Sequence, residues 1–360
     1  MKPVVQLMNR GVKEGVFPGA VLLVSKGSKI RFFQSFGTSD GLSGKTMTKE
    51  SIFDLASLTK PLVTSLAVFK LIEKKQLSME QNISTIIKQI SDKRKKEITI
   101  GQLLRHTSGL AAHKEYYKKV MGFAKTVRRE KMRGFLIKEP LMGKPGGNQL
   151  YSDLGFILLA WIVETICGQR IDRFINKEVY KLLGIDNLFY IDNFKKQPVL
   201  SDDLYKKIVA TENCPWREKT LLAEVHDDNA WSVGGIEGHA GLFGDAFSVW
   251  QISMEIMNAL RGDKTEVLDS IRTLDLLKKE KESEFRAGFD TPSKHGASSG
   301  KYFSEHSIGH LGFTGTSFWI DPVKALIIVL LSNRVHFGRG NDKIKTFRPA
   351  IHNLIVEQNL

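Results

Sequence analysis

Two serines in this chain stand three residues before a lysine, in Ser57-Leu58-Thr59-Lys60 and Ser298-Ser299-Gly300-Lys301. A serine hydroxyl becomes a nucleophile when a neighbouring base takes its proton. A lysine three positions along a helix shares its face, with Cβ atoms about 5–6 Å apart. Context separates the two copies. The first opens Leu58 to Lys74, where Leu62, Leu66, Phe69 and Ile72 recur at helical spacing. The second lies in Gly296-Ala297-Ser298-Ser299-Gly300, a loop composition that fixes no serine–lysine distance. A serine at a helix start also has free backbone N–H groups beside it, which favour a developing oxyanion. Ser57 is therefore the candidate nucleophile and Lys60 its partner.

Two further segments bear on the same chemistry. Tyr151-Ser152-Asp153 precedes an apolar run, Leu154 to Val163, and places a phenol and two capping side chains at a helix start. His310-Leu311-Gly312-Phe313-Thr314-Gly315-Thr316 leads into a predicted strand, and its glycines let backbone approach a ligand closely. Serine–lysine, tyrosine–serine and strand motif, in this order, resemble those of the penicillin-recognising serine hydrolases. The chain is similar to the class C β-lactamase family, which includes penicillin-binding-protein-like carboxypeptidases and esterases. The resemblance extends from about Phe17 to Arg348. It includes Phe53 to Lys60, Thr99 to Leu110 with its Leu103-Leu104-Arg105-His106-Thr107-Ser108-Gly109-Leu110 signature, and Gly238-His239-Ala240-Gly241-Leu242-Phe243.

The resemblance implies a Ser57 acyl-enzyme, with Tyr151 relaying the proton to the leaving group. Its oxyanion hole would be the backbone N–H groups of Ser57 and Phe313. Either Lys60 or Tyr151 serves as base in acylation. As base, Lys60 needs a pKa about 2 units below ~10.4, a shift of ~2.7 kcal/mol. Two positions depart from the family pattern. Asp153 stands where asparagine is usual, replacing an amide donor by an acceptor. His310-Leu311-Gly312 stands where the β-lactamases have Lys-Thr-Gly. A mostly neutral histidine supplies little charge for a β-lactam carboxylate, so neutral esters are the expected better substrates.

Asp153, His310 and Gly312 are thus candidate substrate-binding residues. Arg334, after the last strand, is a candidate carboxylate partner. His226, Asp227 and His239 are candidates to line the cleft, whereas His106 reads as a structural hydrogen-bonding residue. The Val225 to Ala230 segment, although rich in His and Asp, gives no metal spacing, and no cofactor is expected.

Composition narrows the remainder. The chain has 360 residues and 42% hydrophobic side chains, enough for a large core without staples. Cys167 and Cys214 cannot make a disulfide framework or a zinc site. Lys and Arg total 53 against 39 Asp and Glu, a net charge of +14. Most of that surplus lies between Lys88 and Lys144, which reads as a solvated lysine-rich surface rather than a nucleic-acid footprint. No apolar run is long enough for a transmembrane segment, and Met1 to Val16 is too charged for a signal peptide, so a cytoplasmic location is expected.

Strand patterns at Ala20–Ser25, Ile30–Phe36, Thr316–Ile320 and Ala325–Ser332, with a helix at Lys343–Glu357, place hairpins near both ends. The expected fold is α+β and β-lactamase/transpeptidase-like: one domain over 1–360, its antiparallel sheet built from both chain ends. The sheet part is expected at about 1–56 and 245–360, and an inserted helical part at about 57–244. The expected function is hydrolysis of a small-molecule or short-peptide acyl donor, as carboxylesterase or D-amino-acid-directed peptidase. A β-lactamase and a non-catalytic scaffold on the same fold are the alternatives.

Overall fold

The computed structural model describes residues 2–40, 44–195, 200–278, 284–294 and 296–358. Seven antiparallel strands form the main sheet: β1 (Gly19–Lys26), β2 (Lys29–Gly37), β3 (Phe285–Arg286), β4 (Phe289–Asp290), β5 (Ile308–Leu311), β6 (Ser317–Asp321) and β7 (Leu326–Ser332). Their spatial order is β2-β1-β7-β6-β5-β4-β3, so the sheet's middle joins the two ends of the chain. Val21 faces Leu331 and Leu23 faces Val329 across that join.

Both faces of the central strands are covered, so β1 and β7 read as unbroken apolar runs rather than alternating ones. On one face, Leu22, Val24, Ile328 and Leu330 pack with Val4 and Met8 of helix α1 (Lys2–Lys13) and with Phe347, Ile351 and Ile355 of the last helix. On the other, Val21, Leu23, Val329 and Leu331 join the main core. That core contains α2 (Leu66–Glu73), α3 (Asp153–Cys167) and α4 (Ala246–Arg261). The last helix, α5, spans Ile344–Glu357.

The expected hairpins and terminal helix are present, with ends shifted by one or two residues. Ser152 caps α3 by accepting from Gly155 N, and Asp245 caps α4 by accepting from Ser248 N. The nucleophile segment differs from the expected continuous helix. A short 3₁₀ turn, Ala56–Leu58, leads into a wide π-type turn, Lys60–Ser65, before α2 begins. Such irregular turns cluster at functional sites because they re-aim side chains that a regular helix would bury. Among the described residues no single helix is long and apolar enough to cross a membrane.

Candidate active site

Ser57 follows Ala56, a non-glycine residue held at φ 48°, in the left-handed region. Asp54 stabilises this turn. Its Oδ1 accepts from Ala56 N at 2.8 Å and its Oδ2 from His226 N at 2.6 Å. Two threonines fasten the Gly312–Thr316 turn to the same segment: Thr314 Oγ1 donates to Asp54 O at 2.8 Å, and Thr316 Oγ1 to Leu55 O at 3.0 Å. Phe313 is thereby held beside Ser57, and its side chain is 47% exposed. A Cβ on Gly312 would lie 2.0 Å from Thr316 Oγ1 and 2.7 Å from Leu55 O. Gly312→Ala must therefore push the turn off the nucleophile, and the expected result is a loss of kcat of at least ~10²-fold. Steady-state kinetics checks this, with a melting curve to separate lost positioning from lost stability.

Lys60 is wholly buried, and its ammonium has three acceptors. They are Ser57 Oγ at 2.9 Å, Asp153 Oδ1 at 2.7 Å and His239 O at 3.2 Å. Burial alone would depress its pKa, but the Asp153 carboxylate and the Tyr151 phenol outweigh burial and push it up to about 12. The expectation of a partly neutral Lys60 is thus corrected: the aspartate in place of the usual amide fixes the lysine as a cation. Burial likewise opposes ionisation of Asp153, yet Lys60 and His113 hold its carboxyl below the ordinary range. His113 Nδ1 lies 3.2 Å from Asp153 Oδ2.

Tyr151 lies beside the Lys60 ammonium, which is 4.8 Å from its ring centre, and its phenol is close enough to Lys60 and Ser57 for both to act on its ionisation. Burial raises the phenol's pKa, and the Lys60 charge opposes that rise. As a cation Lys60 can only donate to Ser57 Oγ, so the Ser57 proton is left for the phenol oxygen. His106 is structural, as expected. Its Nδ1 accepts from Ser152 N at 3.0 Å, and its ring packs against Tyr151 at 4.7 Å.

The remaining candidates separate into two cavities that meet at Ser57, Tyr151 and Phe313. The first, about 340 Å³, is lined by His113, Asp153, Asp227, His226, His239 and Arg339 among others. Its histidines are engaged: His239 Nε2 meets Asp227 Oδ1 at 2.9 Å, and His226 Nε2 meets Glu212 Oε2 at 3.0 Å. His226 also stacks on Phe313. Among the described residues no group of three or more His, Cys, Asp or Glu could hold a metal.

The second cavity, about 380 Å³, is lined by Phe285, Asp290, His310, Leu311, Gly312, Arg334, Lys345 and Arg348 among others. Burial and the nearby Lys60 charge push His310 down to about 3, so its ring is neutral. Its Nδ1 lies 2.9 Å from Leu311 O, and its buried Nε2 has no partner among the described residues. Arg334 is not the free carboxylate partner the sequence suggested. Its Nε donates to Phe313 O at 3.0 Å and its Nη1 to Asn341 O, while its guanidinium packs 4.9 Å over the Phe313 ring. It supports the oxyanion turn instead.

Sequence reading missed Arg348. This side chain is 4% exposed, its Nε has no hydrogen-bond partner among the described residues, and it faces the cavity from α5. Its presence at a helical position otherwise lined by Ile344, Phe347 and Ile351 was the available signal.

This arrangement decides the family, since the Beta-lactamase description matches residues 4–350. The chain belongs to the Beta-lactamase family. An Escherichia coli (strain K12) relative named "Putative D-alanyl-D-alanine carboxypeptidase" is 28% identical over 359 residues, covering 91% of this chain and 82% of its own. A Salmonella agona relative of the same name is 28% identical over 353 residues, covering 91% of this chain and 81% of its own. The fold is shared with EstCE1, a hydrolase with promiscuous acyltransferase activity, at TM-score 0.74 and 20% identity over 97% of this chain and 98% of that one. It is also shared with a penicillin-binding protein homologue from Caulobacter crescentus, at TM-score 0.76 and 14% identity over 98% and 96% of the two chains. The Beta-lactamase fold and a serine hydrolase activity are thereby shown.

Proposed function

We propose that this member of the Beta-lactamase family is a serine carboxypeptidase for short peptides ending in a free carboxylate, of the D-alanyl-D-alanine type its curated relatives are named for. Arg348 carries the reading. A buried guanidinium without a hydrogen-bonded partner is costly unless a ligand completes it. Asp290, which lines the same cavity, is pushed by burial up to about 7, and Arg348 itself is pushed down by burial to about 10. Among the described residues the two form no ion pair or hydrogen bond, and Arg348 Nε stays without a partner. A peptide carboxylate entering beside His310 would supply the missing acceptor, with Lys345 at the rim.

Ser57 attacks the scissile carbonyl, and its proton passes to Tyr151, whose developing phenolate faces the fixed Lys60 cation. The Ser57 and Phe313 amides receive the oxyanion. Tyr151 then returns the proton to the leaving amine, and water hydrolyses the Ser57 ester by the reverse relay. Asp153 keeps Lys60 charged throughout. The cytoplasmic location expected from sequence is carried into this proposal, with soluble peptide fragments as substrates, and cell fractionation tests it.

The test compares a peptide ending in D-Ala-D-Ala with its C-terminal amide, and p-nitrophenyl acetate as the neutral ester. The expected kcat/KM favours the free acid over the amide by at least ~10²-fold, about 2.7 kcal/mol. Arg348→Gln should remove most of that preference while sparing the acetate ester. Equal rates on acid and amide would overturn the assignment and leave the esterase reading.

A further inference from the structure

The basic surplus between Lys88 and Lys144 takes no part in the chemistry above. In the structure, a helix contact joins two of its stretches. Lys95, within a Lys93–Lys96 turn, donates to Ile137 O at 2.6 Å and so ties that turn to the helix Arg128–Lys138. Arg129 and Arg133 of that helix point inward to Glu164 and Glu237, whereas Lys131 and Lys138 are exposed. The helix is joined to Tyr116–Val120 by a protruding turn in which residues 121–126 are all exposed.

Two large apolar side chains occupy the apex of this turn. Met121 is 37% exposed and Phe123 39% exposed. Lysines surround them: Lys119 on one flank, Lys125 on the other, and Lys131 with its ammonium 5.5 Å from the Phe123 ring centre. Among the described residues none of these three lysines is in an ion pair. Arg128 donates from Nε to Phe123 O at 2.9 Å and from Nη2 to Met121 O at 3.0 Å. These two apex carbonyls are therefore satisfied from within, as suits a turn entering a poorly hydrated layer.

We infer that the Met121–Phe123 apex and its lysine collar form a docking surface for an anionic lipid bilayer. The chemistry fits a headgroup layer at two depths. The apolar pair reaches the acyl boundary while the lysines remain among the phosphates. A nucleic acid would use the lysines but has no place for Met121, and Lys131 already covers the Phe123 ring that a base would stack on. Docking is peripheral and reversible, since two apolar side chains and a few lysines do not anchor a chain permanently.

Co-sedimentation of the full chain with phosphatidylcholine vesicles, with and without phosphatidylglycerol, tests this. Binding is expected only with phosphatidylglycerol, and it should weaken as salt is raised. Replacing Lys119, Lys125 and Lys131 together by glutamine should weaken binding at least ~10²-fold, from about 1 kcal/mol per lysine. Met121→Ser with Phe123→Ser should weaken it clearly at unchanged charge. Both variants should keep wild-type ester hydrolysis, because none of the five residues lines either catalytic cavity. Absence of phosphatidylglycerol-dependent binding overturns the inference. So does full binding by the double serine variant, or tighter binding to single-stranded DNA than to the vesicles, either of which would make the surface a general polyanion site.

Discussion

Ser57→Ala is expected to lower kcat by about 10⁴-fold or more on any acyl donor the protein accepts, because no other hydroxyl is placed to form the ester. Intact-mass measurement after fluorophosphonate treatment should show one adduct, mapping to Ser57. The second serine–lysine element cannot substitute for it. Lys301 turns away to Tyr302 and Glu357, with its Nζ 3.7 Å from Glu357 Oε1. Label on Ser298, or turnover surviving in Ser57→Ala, would refute the assignment. Melting temperature should hardly change, since the side chain removed is small and its lysine partner keeps two other acceptors.

Tyr151→Phe is expected to lower kcat by ~10²–10⁴-fold with a smaller effect on KM, the range typical of a positioned acid–base group. The phenylalanine ring keeps the contacts with His106 and Phe285, so the fold should be retained. Lys60→Ala makes a poorer test. It strands the buried Asp153 carboxylate without its cation, a loss of about 3–5 kcal/mol in stability as well as activity. Lys60→Met paired with Asp153→Asn removes both charges and separates the two effects. The sign of the pH dependence follows from the same pair. Asp153 is held below its ordinary value of 3.8, so its contribution is present above that pH and lost as acid protonates it. Lys60 is held above 10.5, so its share is complete below that pH and lost as alkali passes about 12. Stability should therefore be flat through neutrality, and Asp153→Asn, which leaves the buried ammonium to the desolvation that lowers its pKa, should cost most from acid to neutral pH and least in alkali. Wild-type kcat in Tyr151→Phe would move the proton relay elsewhere, with Ser152 excluded because its hydroxyl is committed to Ala111 O at 2.6 Å.

The order of motifs and the hairpins at both ends were legible in the sequence because each rests on short-range pattern: period, cap and turn. Ser152 before an apolar run predicted α3, and the cap is there. The π-type turn after Ser57 was not legible, since Leu62, Leu66 and Phe69 fit a regular helix equally well. Nor was the state of Lys60, which depends on Asp153 reaching across from a segment more than ninety positions away. Arg334 and Arg348 were exchanged for a related reason. An arginine's availability depends on which carbonyls surround it, and those of Phe313 and Asn341 become neighbours only after the chain has closed.

The pairing of β1 with β7 has a consequence for how the chain comes to be active. Ala20 meets Ser332 and Lys26 meets Leu326, so the sheet's centre brings together residues roughly three hundred positions apart. Contacts of such separation fold slowly, because the chain's freedom must be given up before the pairing returns anything. The turn that positions the Phe313 amide is welded to residues 54–55 and leads into β6, which pairs with β7. A nascent chain that has exposed Ser57, Lys60 and Tyr151 thus still lacks its second oxyanion donor, the Phe313 amide. Catalytic competence arrives late in synthesis, and a chain ending before β7 would carry the nucleophile but not the enzyme.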